Sequence, residues 1–158
     1  MMKLANPELM TSMGKLGLTA TEQEQTKQLV AKFSQGGVEY PMFVRQLSDG
    51  NLLQLLTFVP CSINKEAFAD VSRLLHMINK ELDMPGFCCD EDSKTVFYRT
   101  VIPCMNNQID EPLFHAYLNT TQHVFNMFGT IVQAIAIKAT TLDEIMKKAN
   151  ELQGEKKK

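Results

Sequence analysis

The pattern of apolar positions predicts a helix, a hairpin and a longer helix in the middle of the chain. Apolar residues recur at steps of three and four over 65–82, the period of an amphipathic helix, and Pro85-Gly86 ends it. The runs 87–89 and 95–102 favour extended structure and are separated by a short polar stretch, as in a hairpin. A second apolar periodicity over 110–137 predicts the longer helix.

A second hairpin is predicted before this unit. Residues 38–47 and 52–59 have the composition of strands, and Ser48-Asp49-Gly50-Asn51 between them carries the Asp-Gly pair typical of a hairpin turn. Pro41 has no amide hydrogen, so the first strand is expected at a sheet edge or at a bulge. The second strand is apolar on both faces, which is typical of a central strand or of one covered on both sides.

Capping motifs predict two further helices, one near each end of the chain. The run 21–24, Thr-Glu-Gln-Glu, has the spacing of a capping box, which predicts a helix over 21–34 that ends at Gly36-Gly37. The run 141–144 has the same spacing and predicts a last helix that ends at Gly154.

Together these elements predict an α+β domain in the order α-β-β-α-β-β-α-α, with an antiparallel sheet built from two hairpins and packed by helices. Residues 1–20 lack a clean period and are expected to form a partly ordered arm. Residues 21–153 are expected to form the domain, and residues 154–158 a solvated tail. Since hairpins join antiparallel strands, a parallel nucleotide-binding sheet is disfavoured.

Composition and charge narrow the class of protein. The formal net charge of the 158 residues is −2, and the only basic run is Lys156-Lys157-Lys158, so nucleic acid is not favoured as a partner. The adjacent pair Cys88-Cys89 would point to opposite faces of a strand, which is a poor disulfide framework. No apolar run could span a bilayer, and no signal peptide opens the chain. The sequence therefore predicts a cytoplasmic protein with reduced thiols and no membrane insertion.

No stretch of the sequence predicts a catalytic or ligand-binding group. The glycine motifs that hold phosphates are absent. His115 and His123 are two helical turns, about 12 Å, apart, which is too far to bind one metal ion. The cysteines lack the Cys-x-x-Cys spacing of zinc sites, and the acidic clusters fit turns and first helical turns. We therefore expect a non-enzymatic protein without catalytic residues, cofactor or metal.

The long helix carries more apolar surface than a sheet alone would cover. One face is expected to pack on the sheet, and an adjacent face then needs either the last helix or another protein chain. A homodimer, or a module that binds an apolar segment of a partner protein, would supply that cover. The candidate dimer and protein-binding residues are Phe114, Leu118, Phe125 and Val132 on the helix, with Met42 and Phe43 as outward groups of the sheet.

The central unit resembles the YbjN family over residues 38–137. The matching positions in this sequence are Asn79, Gly86, Phe87, Asp90, Val96, Tyr98, Arg99 and Pro103. The fold of that family is similar to that of class I type III secretion chaperones, which are small acidic cytoplasmic homodimers that hold an extended effector segment. This chain departs from those chaperones in two ways: the sequence predicts two strands rather than three between the first two helices, and it adds a C-terminal helix.

The resemblance implies a chaperone-like homodimer that binds apolar segments of a partner (effector) protein. A YbjN-type regulator that acts by protein contacts in a stress response or in signalling is the alternative. Arg99 is expected to project from the outer face of its hairpin and to pair with a carboxylate.

Overall fold

Six antiparallel strands form one sheet in the computed structural model, which describes residues 1–157. Their order is β2-β3-β4-β5-β7-β6, and a separate ribbon pairs β1 with β8. The strands are β1 (Met2–Lys3), β2 (Thr21–Glu22), β3 (Leu29–Gln35), β4 (Val38–Leu47), β5 (Leu52–Phe58), β6 (Phe87–Asp90), β7 (Thr95–Pro103) and β8 (Gln108–Ile109). The helices are α1 (Asn6–Lys15), α2 (Phe68–Glu81), α3 (Glu111–Ala136) and α4 (Leu142–Glu155). The predicted α+β class with an antiparallel sheet is confirmed.

One face of the sheet is covered, and α3 lies across it with α1 and α2 beside it. Alternate side chains along each long strand are buried, as the two-residue period of a strand requires. They are Leu29, Ala31 and Phe33 in β3, Tyr40, Met42 and Val44 in β4, Leu53, Leu55 and Thr57 in β5, and Val96, Tyr98, Thr100 and Ile102 in β7. The hydrophobic core therefore lies between this face and the helices.

Phe125 of α3 lies at the centre of the core. Its fully buried ring has its centroid 4.7 Å from that of Tyr40 and 5.7 Å from those of Phe33 and Phe87. The ring of Tyr98 is 6.2 Å away. Aromatic pairs at such distances stabilise a core beyond the area that they bury. Since the four partners belong to β3, β4, β6 and β7, one side chain of α3 joins four strands.

Gly129, one turn after Phe125, allows α3 to approach β4 closely. A Cβ atom at this position would lie 2.3 Å from the hydroxyl oxygen of Tyr40, well inside van der Waals contact. That hydroxyl is buried and has no hydrogen-bond partner among the described residues, and burial raises its pKa. The close packing of the Tyr40 ring against α3 therefore leaves its hydroxyl group buried without a hydrogen bond, which is unfavourable.

The helix predicted over 21–34 is wrong. This segment forms β2, a turn and β3, and Thr21 pairs with Val30 of β3 rather than capping a helix. Residues with good helix propensity, such as Ala31 and Lys32, obscure the alternation. All seven residues of β3 pair with β4, and this tertiary pairing outweighs the weak local preference for a helix.

Gly36-Gly37 joins two strands instead of ending a helix. Both glycines have positive φ, 58° and 78°, as a tight hairpin turn requires, and glycine adopts this conformation without a steric penalty. The chain therefore has three long strands, β3 to β5, between α1 and α2. The number of strands predicted there from the sequence, two, is therefore wrong.

Residues 1–20, expected as a partly ordered arm, are packed into the domain. Met2 pairs with Ile109 in the ribbon of β1 and β8, and α1 buries Leu9 and Met13. The element order is accordingly α-β-β-β-α-β-β-α-α when the two-residue strands are left aside.

Pro41 does not mark an edge strand, because β4 lies inside the sheet. Pro41 pairs with Lys32 of β3, while the ladder to β5 begins one residue later, at Met42. Pro41 therefore lies just beyond the ladder between β4 and β5, where its missing amide hydrogen breaks no hydrogen bond to β5. The strand β5 is central, as predicted, but only one of its faces is covered by helices.

The other predicted elements are confirmed, including the helix–hairpin–helix unit of α2, β6, β7 and α3. The capping box of α4 is present, with Thr141 and Glu144 bonded to each other's backbone amides. The amide of Leu142 donates to Asp70, which holds the start of α4 against α2, and the helix continues through Gly154. Within residues 1–157, none of the helices combines the length and apolar character that crossing a membrane requires.

Replacing Phe125 by alanine should lower the free energy of unfolding by about 3–5 kcal/mol, because it leaves a cavity between α3 and four strands. Phe43→Ala, the same truncation on the uncovered face, should cost about 1 kcal/mol, since that ring is only half-buried. Urea denaturation followed by circular dichroism measures both. Equal losses would show that Phe125 is not the centre of the core.

Candidate protein-binding site

The face of the sheet opposite the helices carries side chains that are half-buried or exposed, apart from the buried Gln54, and we call it the open face. The strand register places Phe43, Leu56 and Arg99 in one row across β4, β5 and β7, with Phe58 and Phe97 in the next. Residues paired in this way project to the same side of a sheet. The apolar members of the open face are Val30, Phe43, Leu47, Leu52, Leu56, Phe58, Phe97 and Val101.

Three aromatic rings form a strip across the open face. The ring of Phe58 lies 5.7 Å from that of Phe43 at an interplanar angle of 90°, and 6.0 Å from that of Phe97. The first of these is the edge-to-face arrangement that aromatic pairs prefer. Because the rings belong to β5, β4 and β7, the strip crosses the three central strands and fixes an apolar surface on a rigid part of the fold.

Two arginines lie along one side of this strip. The Nε atom of Arg45 donates to Oε1 of Gln54 at 2.8 Å, and the guanidinium of Arg99 lies over the ring of Phe97, 5.7 Å from its centroid. Among residues 1–157 neither arginine has a carboxylate within ion-pair distance. Arg99 thus projects from the outer face as predicted, but it lies against an aromatic ring instead of a carboxylate.

A shallow depression of about 340 Å³ lies between the two arginines and the β6–β7 turn. Its acidic residue, Asp90, is held in that turn, where its carboxylate accepts hydrogen bonds from the Ser93 hydroxyl at 2.7 Å and the Asp92 amide at 3.0 Å. The Ser93 hydroxyl, followed by the Asp92 amide, lowers the pKa of Asp90. The depression therefore presents two guanidinium groups beside apolar walls.

Only one of the six predicted binding residues, Phe43, lies on the open face. The other five belong to the core: Met42, Phe114, Leu118, Phe125 and Val132 all have no exposed side-chain surface. These five therefore offer no interacting surface: the four on α3 belong to the stripe that turns toward the sheet, and Met42 lies on the inner face of β4. Periodicity identifies two apolar stripes on the helix but not which of them faces inward.

The sequence reasoning missed most of the open face. Its strongest signal is the alternation in β7, where Phe97, Arg99 and Val101 alternate with the buried Tyr98 and Thr100. Alternation shows which side chains share a face. It does not show which face the helices cover, so these residues could not be recognised as uncovered.

The residues that carry the family resemblance form a structural clamp between α2 and β6. The side-chain oxygen of Asn79 accepts from the amides of Gly86 and Phe87 at 3.2 and 3.0 Å, and its NH₂ group donates to the Phe87 carbonyl at 2.9 Å. One side chain thus satisfies three backbone groups of the loop after α2. Asn79 therefore positions the edge strand β6 rather than a ligand.

Tyr98 holds the same loop from the side of β7. Its hydroxyl donates to the carbonyl of Met84 at 2.7 Å, and burial raises the pKa of Tyr98 to about 12, so the donor proton is retained. A Cβ on Gly86 would lie 2.4 Å from the carbonyl oxygen of Arg99, so only glycine fits there. Arg99, in contrast to Asn79, Gly86 and Tyr98, presents its side chain to the open face.

A second polar cluster joins α1 to α3. The Ser12 hydroxyl lies 2.8 Å from Nε2 of His115, and Lys15 contacts Glu111 at 2.7 Å and lowers the pKa of that carboxyl group. Glu111 also approaches the same Nε2 atom, at 3.9 Å, whereas a catalytic triad needs its acid and its nucleophile on opposite ring nitrogens. The cluster therefore fixes α1 on α3.

Within residues 1–157 no group of three or more His, Cys, Asp or Glu side chains could hold a metal ion.

A larger hollow of about 780 Å³ lies at one end of the sheet, between the turn 48–50 and the loop 106–108. The charged side chains that line it, Lys3 and Asp49, are both exposed, and it has no aromatic side chain in its lining. The open face is therefore the better candidate for a functional surface.

Comparisons with known proteins agree with the fold. A family model named YbjN, described as "putative bacterial sensory transduction regulator", matches residues 8–134. Among solved structures, the chain is similar to the crystal structure of YbjN from E. coli, described as a putative transcription regulator. The TM-score is 0.62 at 12% identity, with 87% of this chain and 96% of that chain covered, and this likeness concerns the fold alone. No curated protein matches the chain.

Replacing Asn79 by leucine should lower the free energy of unfolding by about 2–3 kcal/mol, because backbone groups in the partly buried loop lose their partners. Asn79→Asp keeps the acceptor for both amides and loses only the donor to Phe87, so it should cost about 1 kcal/mol. Thermal and urea unfolding rank the two variants. If aspartate costs as much as leucine, the two amide contacts are not what holds the loop.

Proposed function

Because the chain belongs to the YbjN family, we propose that it is a regulatory protein that acts by contacts with partner proteins and catalyses no reaction of its own. The family description, a regulator of sensory transduction, supports a role in signalling. A stress response is the other setting in which we propose that it acts. The contact surface in this proposal is the open face of the sheet.

The observation that carries the proposal is the aromatic strip of Phe43, Phe58 and Phe97 on a face without helices. Large contiguous apolar patches are rare on monomeric proteins and mark interaction sites when charged groups border them. Arg45 and Arg99 are such a border. A sheet face is also rigid, so little conformational entropy is lost when a partner packs on it.

Photo-crosslinking in the native cell tests the proposal. A photoreactive amino acid at Val101, which is 39% exposed on the open face, should capture a partner protein. The matched control is Leu113 on α3, an apolar residue of similar exposure, 43%, on the helical side. We expect crosslinks from position 101 and none of the same mass from position 113.

The captured partner is then purified and its binding measured directly. Val101→Glu should weaken binding, since it places a charge on the apolar face, and Leu113→Glu should leave it unchanged. Crosslinks from position 113 alone, or binding that Val101→Glu does not affect, would show that the open face is not the contact surface.

A second candidate is a chaperone-like homodimer of the type III secretion kind, which holds an apolar segment of an effector protein. The three long strands between α1 and α2 favour it, because three is the number that the resemblance to those chaperones implies. In that case an unfolded N-terminal segment of the partner should bind as tightly as the whole protein, and light scattering should give the mass of a dimer. A monomer that needs a folded partner domain would exclude this candidate.

The cytoplasmic location stays a prediction of the sequence.

A further inference from the structure

We propose that the open face recognises a partner segment in which an apolar side chain is flanked by carboxylates, with Arg45 and Arg99 as the groups that bind the carboxylates. The inference rests on the proposed function and specifies the chemistry of the partner. It depends on how the two guanidinium groups are held and on what lies between them.

Arg45 is oriented by a neighbour that cannot move freely. The side chain of Gln54 is 5% exposed, and its Oε1 atom accepts from Nε of Arg45 at 2.8 Å. That bond leaves the two terminal nitrogen atoms of Arg45 available. A guanidinium fixed through Nε presents a planar pair of donors, which matches the two oxygens of a carboxylate.

Arg99 is oriented in a different way, by the ring of Phe97 beneath it. A cation over a ring keeps its N–H groups at the edge of the stack, free to bond a partner. Both arginines are thus partly ordered before binding, so a ligand loses less entropy than it would on mobile side chains.

The sheet register sets the distance between the two charges. Arg45 lies on β4 and Arg99 on β7, with β5 between them and an offset of two residues along the strands, so their backbones are about 12 Å apart. Leu56 of β5 is paired with Arg99 and stands next to the aromatic strip. An apolar side chain of the partner would rest on Leu56 and Phe58, and acidic residues on either side of it would reach the two guanidinium groups.

A second copy of the chain fits this surface less well. A two-fold interface places the same patch against itself, so it would bring four arginine charges together. The acidic side chain beside them, Asp90, is already engaged by the Ser93 hydroxyl and the Asp92 amide.

Single-stranded nucleic acid also fits less well. Bases stack on open ring faces, whereas Phe58 meets Phe43 edge to face and the ring of Phe97 lies under Arg99. The net charge of the protein, −2, also disfavours binding to the negatively charged phosphate backbone.

Selection from a phage-displayed library of random peptides on the full chain tests the inference. We expect the selected peptides to be enriched in aspartate and glutamate next to leucine or aromatic residues. Synthetic versions should bind the double variant Arg45→Gln, Arg99→Gln about tenfold or more weakly than the wild type. The matched control is Lys147→Gln, Lys148→Gln, which removes the same charge from exposed positions of α4 and should not change binding.

The other outcomes separate this inference from the proposed function. Peptides that lose binding with Val101→Glu but carry no acidic residues would overturn the inference and leave the open face as the contact surface. Peptides that are insensitive to Val101→Glu would overturn both. If a labelled oligothymidine binds and its binding requires Arg45 and Arg99, the open face is a nucleic-acid site and the inference is overturned. If the chain forms a dimer that Val101→Glu dissociates, the open face binds a second copy, and the inference is overturned as well.

Discussion

The packing of Phe125 against four aromatic rings decides which face of the sheet is core. Its partners Phe33, Tyr40, Phe87 and Tyr98 come from four strands, so α3 is fixed to the sheet at a single central point. Gly129 lets the helix approach without a Cβ in the way. With the helices on one side, the opposite side of β4, β5 and β7 is left uncovered, and the candidate site is a direct consequence of this asymmetry.

The residues that identify the family serve this architecture more than they serve recognition. Asn79, Gly86 and Tyr98 close the loop between α2 and β6, each by contacts to backbone atoms. Edge strands need such support because they have only one neighbour in the sheet. Arg99 belongs to the same motif but points the other way, which connects the structural motif to the surface where a partner protein is proposed to bind.

The predictions from sequence succeeded where the local pattern and the final environment agree. The long apolar periodicity of α2 and α3, the Asp-Gly turn before β5 and the capping box of α4 are all present. The prediction failed for β3, whose helix-forming residues adopt a strand because β4 pairs with them along their full length. It failed also for α3, where four expected surface residues lie in the core, and for Met42 on the inner face of β4, whereas Phe43 lies on the open face.

Local patterns in the chain were enough to predict the α+β class, the central helix–hairpin–helix unit and the resemblance to a family, because periodicity, turn residues and motif spacing are local properties. Three features depend instead on contacts between distant parts of the chain: the strand identity of residues 29–35, the inclusion of α1 in the domain and the side of the sheet that stays open. Alternation along a strand divides its side chains into two sets but is the same whichever set faces the core. The choice between them is made by the helix that packs on the sheet, through contacts between residues far apart in the chain.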